Sequence, residues 1–125
     1  MLEDDSDDRY LTKEVLEDLG LGLQIDFYSN SNELLSGISI TKPDLILVDY
    51  NSTPENGVSV LRKLKKDDAF KFIPVVILSD GGAAKYRRQC YSEGASAFVV
   101  KPNSMEETKQ KIKSFFTYWT EVAEL

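Results

Sequence analysis

The 125-residue chain contains no histidine. That absence excludes a histidine general base, a Ser-His triad and imidazole metal ligation, and the chain cannot itself carry a phosphohistidine. Any bound metal must be held by oxygen, which favours a hard cation such as Mg2+. Cysteine occurs once, at Cys90, so no disulfide forms within the chain and a reducing compartment is expected. No apolar run approaches the roughly 20 residues that a membrane helix needs. The amino terminus is acidic, so it does not read as a signal peptide. A cytoplasmic location follows as an expectation. Basic residues are outnumbered, 15 against 21 acids, for a net charge of -6. That balance argues against nucleic acid or an anionic membrane as a direct partner.

What is present suits one globular domain spanning residues 1–125, with one core. Ser6 reads as an N-cap, and Leu11, Val15, Leu16 and Leu19 recur at helical spacing before Gly20. Leu23 to Tyr28 reads as a short strand. Ser31 caps a second helix carrying Leu34, Leu35 and Ile38, which Lys42-Pro43 breaks. Leu45 to Val48 is continuously apolar and ends at Asp49, the pattern of a strand buried on both faces. Val58, Leu61 and Leu64 mark a third helix. Ile73 to Leu78 is a second buried strand ending at Ser79. Gly81-Gly82 reads as a flexible loop, Ala83 to Glu93 as a fourth helix, and Ala97 to Val100 as a third buried strand ending at Lys101-Pro102. Ser104 caps a last helix that reaches nearly to Leu125. Strands alternating with helices predict an α/β fold with a doubly wound parallel sheet.

In such folds, sites lie outside the carboxyl ends of the strands. Four loops should therefore meet at one edge, carrying Glu3-Asp4-Asp5, Asp49, Ser79 and Lys101. Asp7 and Asp8 read as acids that suit the dipole of the first helix. Glu3 and Asp4 fall earlier, where a strand would end, and crowded carboxylates there need a counter-charge. Each signal alone is ordinary. One per strand end, in a fold that gathers strand ends, is not.

At these residues the sequence resembles the receiver domains of two-component response regulators, over essentially its whole length. The motifs match in order: Leu2-Glu3-Asp4-Asp5, Leu45-Ile46-Leu47-Val48-Asp49, Gly57, Val75-Val76-Ile77-Leu78-Ser79, Gly94-Ala95 and Lys101-Pro102. Lys101 follows Asp49 by 52 positions, which also fits. The resemblance implies a flavodoxin-like five-stranded parallel sheet of order 2-1-3-4-5, flanked by five helices. It implies that Asp49 is the phosphorylated nucleophile. Mg2+ would be bound directly by Asp4 and Asp49, through water by Glu3, and by the backbone carbonyl of Asn51. Lys101 would neutralise phosphoryl charge and Ser79 would hydrogen-bond a phosphoryl oxygen. Phe98 matches the aromatic position whose rotation accompanies activation. The implied partners are a sensor histidine kinase or phosphotransfer protein, with a homodimer through the fourth helix, last strand and fifth helix. The tail from Phe115 to Leu125 resembles stand-alone receivers.

Several departures accompany the match. Only Met1 and Leu2 precede Glu3, so the first strand is expected to be short or truncated. Thr53 holds the place where the family usually has its loop proline, and Pro54 follows. Ser79 replaces the commoner threonine, and Phe98 the frequent tyrosine. Pro102 is expected to be cis, a turn able to aim Lys101.

Met105, Thr108, Ile112, Phe115, Trp119 and Val122 form one stripe of the last helix, with Phe116 beside it. Packing on the sheet explains most of it, and the aromatic surplus around Phe116 and Trp119 suggests a contact surface. Lys85, Arg87 and Arg88 make the fourth helix basic. Cys90 falls at helical spacing from Tyr86 and reads as core.

Rival readings are weaker. Asp49-Tyr50-Asn51-Ser52-Thr53 resembles the nucleophile motif of haloacid-dehalogenase-like phosphatases, but Asn51 stands where their general acid should be. A flavodoxin-type cofactor module needs Ser, Thr and Gly after the first strand, where this chain is acidic. A receiver that binds partners without phosphorylation would typically have lost the acid pair, Asp49 or Lys101, and none is lost here. The chain is therefore expected to be a signalling switch and not an enzyme with its own substrate turnover.

Overall fold

The computed structural model describes residues 1–80 and 84–125. The chain runs α1 (Ser6–Leu19), α2 (Ser31–Ile40), β1 (Ile46–Asp49), α3 (Gly57–Lys66), β2 (Val75–Ser79), α4 (Ala84–Ser92), β3 (Ala97–Val100) and α5 (Met105–Thr117), which continues into a π-helical turn at Tyr118–Val122. The predicted start of the fourth helix at Ala83 and the Gly81-Gly82 loop lie outside the described residues.

The three strands are parallel, in the order β1-β2-β3. Ile46 pairs with Val75, and Val76 with Ala97. Two further positions join the β1 edge through single bridges: Leu2 lies between Val48 and Tyr28, parallel to both. The expected order 2-1-3-4-5 is thus present as Tyr28, Leu2, β1, β2, β3. Three full strands form; the first position is the single bridged residue Leu2, in keeping with the short first strand expected, and the second, expected as a strand from Leu23 to Tyr28, is the single bridged residue Tyr28. The segment from Leu23 forms no strand before Tyr28. Strand propensity alone cannot hold it: its backbone pairs only near its end, at Asp26 and Tyr28, and a strand needs a paired neighbour along its length.

Alternation along the strands divides the core into two layers. Ile46, Val48, Val75 and Ile77 face α2 and α3, packing with Leu34, Ile38, Val58, Leu61, Leu64 and Cys90. Leu47, Val76 and Leu78 face the other way, onto Leu16 of α1 and Phe116 of α5. Helices therefore cover both faces of β1 and β2, which is why these two strands read as continuous apolar runs. β3, expected to be buried as well, is half-buried at all four positions, because it pairs with β2 alone at the edge of the sheet. Each fully buried Val, Leu or Ile stabilises the fold by about 1.5–3 kcal/mol.

Capping differs by one residue from the sequence expectation. Asp5, not Ser6, caps α1, its side chain accepting from the N–H groups of Asp7 and Asp8. Asn30, not Ser31, caps α2 by accepting from Glu33 N–H. An Asx carbonyl oxygen one position earlier reaches the same orphan donors. Gly20 ends α1 at φ 61°, donating to the carbonyls of Leu16 and Glu17. Ser104 caps α5 as expected. In the α5 stripe, Ile112, Phe115 and Trp119 pack against the second core layer. Met105 and Val122 are exposed instead, and Phe116 is buried. Phe116 is therefore unavailable as contact surface, and Tyr118 is the exposed aromatic there. No described helix is long and apolar enough to cross a membrane.

Candidate functional site

The site is assembled by backbone pairing before any side chain acts. Leu2 N–H donates to Leu47 O at 2.8 Å, and Asp49 N–H donates to Leu2 O at 3.2 Å. This fixes the residues after Leu2, namely Glu3 and Asp4, beside the end of β1. Glu3 N–H donates to Tyr28 O at 2.9 Å, and Arg9 Nε donates to Glu3 O at 2.6 Å. On the other side, Lys101 N–H donates to Ser79 O at 2.8 Å, tying the end of β3 to the end of β2. The four expected loops do converge.

Gly57 sets the loop after β1. Its N–H donates to Tyr50 O at 2.8 Å. A Cβ added at Gly57 would lie 2.9 Å from Tyr50 Cα and 3.1 Å from Asp49 O, both backbone atoms. Only glycine lets α3 begin this close to the loop that carries Asp49.

Charge is concentrated here. Glu3 is 2% exposed, a burial that a carboxylate does not tolerate without a partner. Its partner is Lys101, whose Nζ lies 3.0 Å from Glu3 Oε1. The same ammonium is 3.5 Å from Asp8 Oδ2 and 3.8 Å from Asp80 Oδ1. Burial pushes the Glu3 carboxyl up to about 7, against the pull of its hydrogen bond and ion pair with Lys101. Burial also raises Asp49, with Lys101 and the Asn51 N–H opposing. For Lys101, burial acts to lower the pKa, but the hydrogen bond to Glu3 and the charges of Glu3, Asp49 and Asp8 outweigh it, and the net shift is upward. Lys101 is thus a fixed cation among acids.

The donor set suits a hard cation. One carboxylate oxygen each from Glu3, Asp4 and Asp49 lies within 4.8 Å of the others. Opposite ligands around Mg2+ are about 4.2 Å apart, so small side-chain movements suffice. Asn51 N–H donates to Asp49 Oδ1 at 3.2 Å, which keeps the Asn51 backbone beside the carboxylate. Ser79 is buried at the end of β2. Phe98 is half-buried, packs against the first core layer, and donates its N–H to Tyr91 Oη at 3.1 Å.

One expectation fails. Among the described residues, the cis peptide bond is Thr53-Pro54, so Lys101-Pro102 is trans. Lys101 needs no cis turn: the ladder bond to Ser79 and the ion pair with Glu3 already direct it.

Sequence reasoning missed Asp8, Asp80 and Arg9. From sequence Asp8 reads as an acid that suits the helix dipole, yet its side chain reaches Lys101. Side chains in a first helical turn lean toward the helix amino terminus, here toward the strand end, and that lean was the available signal. Tyr50 carries no sequence signal for a contact with the fourth helix. Its ring lies 4.8 Å, centroid to centroid, from Tyr86 of α4, so the loop after Asp49 touches α4 directly.

The sequence model of the response regulator receiver domain family matches residues 1–113. The chain belongs to that family. Among curated relatives, two-component response regulator ARR3 of Arabidopsis thaliana is 35% identical over 82 residues, covering 66% of this chain and 35% of ARR3. Response regulator Rre1 of Synechocystis is 28% identical over 114 residues, covering 91% of this chain and 49% of Rre1. The receiver thus spans only about a third to a half of these relatives. Among solved structures, a response regulator from Hahella chejuensis superposes with TM-score 0.91 at 31% identity, covering 99% of this receiver and 96% of that chain. The phosphorylated cyanobacterial phytochrome response regulator RcpA gives TM-score 0.92 at 26% identity, covering 99% and 94%. The fold of this receiver is flavodoxin-like, and receivers of this family are signalling switches of two-component systems.

Proposed function

We propose that this receiver is switched by phosphorylation of Asp49, taking the phosphoryl group from a phosphohistidine of a sensor kinase or phosphotransfer protein. The observation that carries the reading is the convergence of Glu3, Asp4, Asp49, Ser79 and Lys101 at one sheet edge. The bond from phosphorus to the donor nitrogen breaks as a bond to an Asp49 carboxylate oxygen forms. The electron pair stays with the donor nitrogen. These 125 residues contain no histidine, so the donor phosphohistidine lies outside them.

Glu3, Asp4 and Asp49, with the Asn51 carbonyl, would hold Mg2+, which when bound supplies positive charge against the transferring phosphoryl oxygens. A family structure described as the Mn2+-bound form of Rcp1, at 22% identity and TM-score 0.87, is consistent with divalent-cation chemistry on this fold. Lys101 supplies a second cation to those oxygens, and Ser79 a hydroxyl donor after transfer. Movement of Ser79 would be matched by Phe98 on β3 and by the Tyr50 contact with Tyr86. Output would then be a changed surface on α4, β3 and α5, where Lys85, Arg87, Arg88 and Tyr118 are exposed. A second copy is a candidate partner there. No substrate turnover beyond capture and loss of its own phosphoryl group is proposed.

The test is intact-mass measurement after exposure to acetyl phosphate and Mg2+. Wild type should gain one phosphoryl group and Asp49→Asn none. Equal gain in the variant would exclude Asp49 as the acceptor.

A further inference from the structure

We propose that Asp8, helped by Asp80, is a positioning residue that holds the Lys101 ammonium away from Asp49 and thereby slows phosphoryl capture. The inference rests on the reading of Asp49 as the acceptor. Among the described residues, Lys101 Nζ lies within 4.0 Å of three carboxylates: Glu3 at 3.0 Å, Asp8 at 3.5 Å and Asp80 at 3.8 Å. Asp49 is not one of them.

The three acids are not equivalent. Glu3 belongs to the set that would share a cation, and a cation there draws its charge away from Lys101. Asp8 and Asp80 lie outside that set, so they keep their hold on the ammonium when a cation binds. A phosphoryl group on Asp49 must then win Lys101 from them. They also place two negative charges beside the approach of an anionic donor, since Asp8 is partly and Asp80 largely exposed.

The position of Asp8 does not depend on its own carboxylate. Its N–H donates to Asp5 Oδ1 at 3.1 Å and its carbonyl accepts from Thr12 Oγ1 at 2.9 Å. Asp8→Asn therefore keeps the helix start while removing the charge. A role confined to the helix dipole would change stability and leave the rate of phosphoryl capture alone.

The experiment compares initial phosphorylation rates by acetyl phosphate in wild type, Asp8→Asn, Asp8→Glu and Asp80→Asn, each at its own saturating Mg2+. Asp8→Asn should be about two- to fivefold faster than wild type, the scale of one partly exposed ion pair. Asp80→Asn should be faster by a smaller factor, and Asp8→Glu should stay slow. The gain should shrink near 1 M salt, where the screening length is about 3 Å. A phosphorylated wild type with Asp8→Asn no faster, or a gain indifferent to salt, overturns the inference and leaves Asp49 as acceptor. If neither wild type nor Asp8→Asn takes a phosphoryl group, the acceptor assignment fails and this inference with it.

Discussion

At the carboxyl end of the strands, Glu3 is buried beside Asp49 and Lys101. At the opposite end, Met1, Leu23, Ile25, Leu45 and Leu125 surround a cavity of about 180 Å³. One end is tied by ladder bonds and ion pairs and is costly in desolvation. The other is mostly apolar and incompletely filled. Burying acids beside one lysine is a poor way to gain stability, since removal of the lysine leaves them unpaired. The arrangement makes sense as a place to receive a cation and a phosphoryl group. The core layers on β1, β2 and β3 supply the stability that the site consumes.

If the two ends differ in this way, changes of charge and changes of volume should separate cleanly. The largest effect is expected from Asp4→Ala, which removes one candidate cation ligand. Mg2+-dependent phosphorylation should be lost, while thermal unfolding without metal should occur at the same or a higher temperature. Unchanged dependence of the rate on Mg2+ would remove Asp4 from the site.

Next comes volume. Ile77→Ala, in the fully buried middle of β2, should cost about 2–5 kcal/mol in denaturant unfolding. Leu23→Ala, exposed at the rim of the cavity, should cost less than about 1 kcal/mol. Equal costs would mean that the cavity end is as tightly packed as the strands, and the contrast would collapse.

Gly57→Ala probes the join between scaffold and site. Its Cβ would press on the Asp49–Tyr50 backbone, so a loss of about 1–3 kcal/mol is expected despite the better helix propensity of alanine. Phosphorylation should slow in the same variant. A stabilised Gly57→Ala would show that the loop yields freely.

The last contrast is a pH dependence. The Glu3 carboxyl, ordinarily near 4.5, is raised to about 7 in the fold. A raised carboxylate pKa means that the folded state binds more protons than the unfolded state, so stability falls as pH rises. The wild type should therefore lose stability relative to Glu3→Gln between about pH 4.5 and 7, in metal-free buffer. Mg2+ should oppose the loss by favouring the ionised form. Parallel stability curves for the two proteins would show that Glu3 does not carry the shift.

Much of this molecule was legible from its residues. The apolar runs ending at Asp49, Ser79 and Lys101 have the length and pattern of strands buried on both faces, so β1, β2 and β3 were placed nearly to the residue. Gly20 and Ser104 marked their helix ends. The segment from Leu23 to Tyr28 misled, because strand identity depends on a paired neighbour and not on propensity alone. Phe116 misled for a related reason: a broad helical stripe does not say which edge meets the sheet.

Sequence by itself determined the fold class, the sheet edge where the candidate residues gather and the absence of histidine among them. Those follow from hydrophobic periodicity, from the rule that parallel strands gather their carboxyl ends, and from composition. Tertiary structure alone decided which acid holds Lys101. Glu3, Asp8 and Asp80 are remote from Lys101 or from one another along the chain, and their competition for one ammonium is a matter of ångströms. It also decided that Lys101-Pro102 is trans and that the outer sheet positions shrink to the bridges at Leu2 and Tyr28. Distances between side chains on different elements depend on how whole layers pack, and no local pattern of residues encodes them.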